Sequence, residues 1–155
     1  MSITIERNWK GSPIKYTQWM PMARRWAKDV TPFTQEMVRE HAPVYHGYSL
    51  RESGKLKRSI EATAQITNTA VTIEVITGVP YAEYVMAGVA PHIIVPRKAK
   101  MLRWNGPNGE VFARMVNHPG QKANDFVRRA MLEVEPLAME LFAAYYRESF
   151  IITKE

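Results

Sequence analysis

Between Ile60 and Val75 apolar and polar residues alternate with period two, and no other stretch restricts the fold as tightly. Ile60, Ala62, Ala64 and Ile66 share one face of an extended chain, and Ser59, Glu61, Thr63 and Gln65 share the other. Asn68-Thr69 marks a turn, after which Val71, Ile73 and Val75 alternate with Thr72 and Glu74. The pattern predicts an antiparallel hairpin with one buried face.

Helical periodicity flanks this hairpin. From about Thr17 to Ala42, Trp19, Ala23, Trp26, Val30, Phe33 and Met37 recur at steps of four and three. Pro21 marks a start for the first piece. Thr31-Pro32 predicts a kink or a restart, with Thr31 as N-cap and Pro32 at the first helical position. His41-Ala42-Pro43 ends the run, because a residue before proline is pushed out of helical geometry. A second helix is expected from about Asn124 to Phe150, with a stripe of Phe126, Ala130, Val134, Leu137, Leu141 and Tyr145 and a kink or break at Pro136. Tyr145 and Tyr146 are adjacent, so only one is expected to face the core and the other to offer an interface.

Shorter signals fill the remainder. Ile3 and Ile5 predict a first strand before the turn at Gly11-Ser12-Pro13. A loop from Val44 to Glu52 leads to a turn or short helix over Ser53 to Arg58. Pro80 opens a helix over Tyr81 to Ala87 with Gly88 as C-cap. Strands are expected at His92–Val95, Lys100–Trp104 and Glu110–Val116, the last two flanking Asn105-Gly106-Pro107-Asn108-Gly109 as a second hairpin. Asn117-His118-Pro119-Gly120 suits a type II turn. The fold class is α+β: a mainly antiparallel sheet of four to five strands with helices from both ends on one face. The 155 residues are read as a single domain, with a basic loop-and-hairpin region at about 88–122.

Composition narrows the chemistry. With no cysteine there is no disulfide framework, thiolate metal site or Cys nucleophile, which fits assembly in a reducing cytoplasm. Neither the N-terminal sequence nor any later run suggests a leader or a membrane span. Thirteen Glu accompany only Asp29 and Asp125, and no acidic cluster suggests a magnesium site. His41, His46, His92 and His118 follow no metal-ligand spacing. No metal, cofactor or enzymatic activity is expected. The net charge of +6 fits a polyanionic neighbour, nucleic acid or an acidic protein, as well as plain solubility.

Four segments stand in order along the chain: Ala42-Pro43 with Gly54-Lys55-Leu56-Lys57-Arg58-Ser59-Ile60; Tyr81-Ala82-Glu83-Tyr84-Val85 with Gly88; Pro91-His92 with Ala99-Lys100-Met101-Leu102-Arg103-Trp104; and His118-Pro119-Gly120 with Phe126-Val127-Arg128. Together they resemble a family of minor tail and tail-completion (head-tail joining) proteins of long-tailed bacteriophages. They span Ala42 to Arg129, somewhat more than half the chain. Met86, Ala87 and Val89 depart from the family's pattern, where Glu, an aromatic and Thr are usual. The resemblance implies a non-enzymatic virion subunit, assembled in the host bacterial cytoplasm. Six copies would form a ring at the head-proximal end of the tail. Its expected partners are other copies of itself, the head connector (adaptor or stopper) protein, the tail tube or terminator protein, and DNA passing through the channel.

The interface residues expected on this reading are Tyr81, Tyr84, Met86, His92, Arg97, Lys98, Lys100, Arg103, Trp104, Arg114, His118 and Lys122. Most lie in the basic region, where flexible cations suit phosphates or acidic side chains alike. A solvated hairpin whose charges block stray edge pairing accounts for the same cations. The alternative function is a small basic nucleic-acid-binding protein, although no groove-reading element is recognisable. A hydrolase built on His118 would need an orienting partner that the sequence does not display, and a turn histidine bonded to nearby backbone accounts for it more simply.

Overall fold

The computed structural model describes residues 2–8, 16–44 and 54–151. The expected turn at 11–13, nearly all of the loop over 44–52, His46 and Ser53 lie outside them. The elements run β1 (Ser2–Asn8), α1 (Tyr16–His41), α2 (Lys55–Ser59), β2 (Ile60–Ile66), β3 (Ala70–Thr77), α3 (Ala82–Ala87), β4 (His92–Ile94), β5 (Leu102–Gly106), β6 (Gly109–Ala113), β7 (Val116–His118) and α4 (Phe126–Ile151). The class is α+β, with long N- and C-terminal helices beside antiparallel sheets. The strands divide among a three-stranded sheet ordered β1-β3-β2 and two ribbons, β4-β7 and β5-β6.

The period-two alternation sets the register of the main sheet. Ala62 pairs with Val75, Ala64 with Ile73 and Ile66 with Val71, so the apolar residues of both strands share one face. β1 lies antiparallel on the other side of β3, with Ile3 opposite Val75 and Ile5 opposite Ile73. That leaves β2 at an edge, where outward backbone groups would be open to stray pairing. α1 covers them with polar side chains. The Gln35 Oε1 accepts from the Ala62 N–H at 2.9 Å, and Arg39 donates to the Ile60 carbonyl through Nη2 at 2.8 Å and Nε at 3.1 Å.

Two apolar clusters fill the space between sheet and helices. One gathers Val38, Leu56, Ile60, Val75, Val85, Phe126 and Ala130; the other gathers Trp19, Trp26, Val30, Val71, Ile73 and Val134. Met37, Ala62 and Met131 pack against both, joining them into one core. Indole N–H groups tie the layers together. Trp19 donates to the Thr67 carbonyl at 2.7 Å, and Trp26 donates to the Ala138 carbonyl at 2.8 Å.

Several expectations need correction. α1 does not restart at Thr31-Pro32, and both Pro21 and Pro32 lie inside one helix. An interior proline costs about 3 kcal/mol. Burial of Trp26, Val30, Thr34 and Val38 on either side of Pro32 outweighs that, at roughly 1.5–3 kcal/mol for each large apolar side chain. Thr31 is therefore no N-cap, and its buried Oγ1 has no hydrogen-bond partner among the described residues. α4 likewise runs through Pro136. Its stripe advances by four from Val134 to Ala138, leaving Leu137 exposed. The small Ala138 side chain leaves its carbonyl open to the Trp26 indole.

Tyr145 and Tyr146 both pack against the second cluster, because two rings on neighbouring positions can straddle the edge of a helix–helix seam. The Tyr145 hydroxyl donates to Asp29, and Arg25 stacks 4.1 Å over its ring while pairing with Glu148.

Candidate interaction surface

Between α3 and α4 the chain leaves the body and returns as one nested antiparallel arm. Val89 bridges Gln121 through two backbone bonds of 2.8 Å, and His92–Ile94 then pair with Val116–His118 in the same register. Beyond them Leu102–Gly106 pair with Gly109–Ala113, turning at Pro107-Asn108. Between the two ladders, Val95 to Met101 bulge out on one side against only Arg114 and Met115 on the other.

This corrects two boundaries. The strand expected over Glu110–Val116 is broken at Arg114-Met115, where the register shifts. Asn117 and His118 belong to β7, and the type II turn expected over 117–120 does not form, because the chain runs on through Pro119-Gly120 to the Val89–Gln121 bridge in unbroken register. The β4–β7 pairing was not legible locally, because its strands are three residues each and lie far apart in sequence.

Two glycines pin the arm to the body. Gly120 has φ +83°, and a Cβ there would lie 2.3 Å from the Val89 carbonyl oxygen and 2.8 Å from Pro91 N. Gly88, the C-cap of α3, has φ +76°, and a Cβ would meet Ala123 N at 2.7 Å and the Gln121 carbonyl oxygen at 2.8 Å. Both positions need left-handed backbone and close strand crossing, which only glycine supplies without strain. The Asn124 N–H completes the junction by donating to the Val85 carbonyl at 3.1 Å.

His92 and His118 are cross-strand partners whose rings stack at 4.9 Å. The His118 Nδ1 accepts from the Gly120 N–H at 3.1 Å, so in that contact its proton sits on Nε2. The His92 Nδ1 faces the Ala90 carbonyl at 3.0 Å and donates to it, since a carbonyl can only accept. Both rings thus brace the base of the arm.

The arm has no core of its own. No residue from Gly88 to Lys122 is buried, although the segment carries Ile93, Val95, Met101, Trp104, Val111, Phe112 and Met115 as exposed large apolar residues. Directly opposed residues of a ribbon point the same way. Trp104 and Val111 with Leu102 and Ala113 therefore form one apolar face, and Trp104 is 41% exposed. The other face carries an Arg103–Glu110 ion pair, with the Arg103 guanidinium 6.0 Å above the Phe112 ring. Arg97, Lys98 and Lys100 occupy the bulge, all exposed. Six cations against Glu110 give the arm five of the chain's six net positive charges.

The expected interface residues thus separate by place. His92, Arg97, Lys98, Lys100, Arg103, Trp104, Arg114, His118 and Lys122 all lie on the arm, with His118 half-buried. Tyr84 on α3 and Tyr81 at its N-cap lie just before the arm's base, Tyr84 at 61% exposure. Met86 is turned inward instead, because it helps line a small apolar cavity with Val38, Ile60, Val75, Phe126 and Val127. Sequence reasoning missed the arm's Ile93, Val95, Val111, Phe112 and Met115. It also missed Leu132 and Met139 on α4, which are 64% and 49% exposed. The available signal was an apolar residue off the helical stripe or at an odd position in a ribbon.

Among the described residues no group of His, Asp or Glu is placed to hold a metal, and no helix is long and apolar enough to cross a membrane. Comparisons with protein-family models, curated proteins and solved structures found no match.

Proposed function

We propose that this chain is a non-enzymatic structural subunit of a long-tailed bacteriophage. Copies of it form a ring, of six on the resemblance, at the head-proximal end of the tail. The ring completes the tail and joins it to the head connector, and the arm carries contacts within the ring and to adjoining rings. One observation supports this reading above the others: the arm exposes large apolar side chains without burying any residue. Large apolar side chains exposed side by side, as Trp104 and Val111 are on one ribbon face, mark a binding face. Two-stranded ribbons are marginal alone and gain order from what they pack against.

The four segments of the resemblance lie where the fold is most demanding. Leu56, Ile60 and Phe126 are in the core, and Gly88 and Gly120 stand at the arm's base.

Deleting the gene from a phage that carries it and imaging the particles tests the role. Filled heads beside separate tails of normal length support head-tail joining, and overlong tails support a terminator. Intact infectious virions refute the proposal. The arm's charge favours a second reading, a nucleic-acid-binding protein. That reading requires tight DNA binding by the isolated protein, weakening steeply with salt.

A further inference from the structure

We infer that the arm of one copy docks on the outer face of α4 of the next copy, a head-to-tail contact between two different patches of the same chain. The inference rests on the ring reading and names the partner of the arm within it.

The acceptor surface follows from helix geometry. Leu132, Pro136 and Met139 fall at steps of four and three, so they form one ridge along α4. All three are exposed, and the ridge faces away from the Phe126–Ala130–Val134 stripe that fills the core. Glu133 and Glu140 flank one side of it and Glu135 the other. From Leu132 to Glu140 there are three Glu and no Lys or Arg. The surface is an apolar ridge between carboxylates, of which Glu133 is paired with His41 at 2.9 Å, and Arg128 and Arg129 border its N-terminal end.

The arm presents the converse, an apolar Trp104–Val111 face on a segment whose neighbouring bulge carries the exposed Arg97, Lys98 and Lys100. Trp, Met and Arg are the residue types that concentrate at interface centres. Opposite charge around matched apolar surfaces sets both register and partner choice. Because both patches stay exposed on one chain, the arm is not folded onto its own helix. A contact between unlike patches leaves one of each open at the ends of any chain of copies. Closing a ring removes both.

The absence of cysteine permits a direct test. Val111→Cys on the arm and Met139→Cys on α4 are separate surface variants of the full chain. Mixed in equal amounts and treated with a short bis-maleimide, they should give V111C–M139C heterodimer well above random collision proportions. That excess should fall at high salt. Homodimers of V111C in excess would show arm-to-arm pairing and overturn the inference, as would products in random proportion or none.

The tail reading is judged separately, from particles made without the gene. Separated heads and tails together with random cross-linking retain the tail role and remove this contact. Intact virions together with heterodimer excess retain the contact and remove the tail role.

Discussion

Trp26 and Trp104 offer the sharpest test of the division between a folding core and a binding arm. Trp26 is 4% exposed, donates to the Ala138 carbonyl, and meets the Phe142 ring edge-on at 6.2 Å. Truncation to Ala removes the ring, that contact and the hydrogen bond between α1 and α4. Large-to-small core changes of this kind cost about 3–5 kcal/mol. At roughly 2–4 °C per kcal/mol for a domain of this size, Tm should fall by about 6–20 °C.

Trp104→Ala removes an equal side chain from a ribbon in which no residue is fully buried. It loses the cross-strand pair with Val111, worth about 0.2–1 kcal/mol, and little else. Tm should therefore move by at most about 4 °C, whereas assembly into tails should fail. Urea or thermal unfolding of both variants, followed by circular dichroism, gives the two numbers. A Trp104→Ala loss comparable with that of Trp26→Ala would refute the reasoning, because the arm would then belong to the folding core.

Other substitutions probe the junction, the charge and the helix seam. Gly120→Ala should strain the left-handed backbone by about 1–2 kcal/mol and drive its Cβ into the Val89 carbonyl, loosening the arm; faster proteolysis at Arg97–Lys100 would register this. Reversing Arg97, Lys98 and Lys100 to Glu should leave Tm nearly unchanged and impair head-tail joining, read as lost infectivity. The Tyr145 phenol titrates above its ordinary value because it donates to the Asp29 carboxylate, reinforced by desolvation. With the folded value raised, its support of the α1–α4 seam is complete below the unfolded phenol's titration and is lost as pH rises through the folded one. Asp29→Asn should lower that titration in ultraviolet absorbance, and an unchanged titration would contradict the bond.

The main sheet and both long helices were legible in the sequence, because each rests on a local periodicity. Alternation from Ile60 to Val75 set which face of β2 and β3 is buried, and pairing only had to respect it. The proline positions were misjudged for the complementary reason. Local geometry argues for a break at Pro32 and Pro136, but burial on both sides of Pro32, and burial up to Val134 with half-buried packing from Ala138 to Tyr146 beyond Pro136, outweighs a cost that a sequence window cannot balance. The same limit hid the step from Val134 to Ala138, which depends on where the Trp26 indole reaches across the seam.

In the candidate site the sequence determined the residue types: the cations, the turn and the glycines that a close crossing needs. Only the tertiary structure decided that Val89 meets Gln121, that His92 stacks on His118, and that none of the 35 residues from Gly88 to Lys122 is fully buried. Those are contacts between distant parts of the chain, and exposure is a property of everything that fails to pack against a residue. Neither is written in its neighbours.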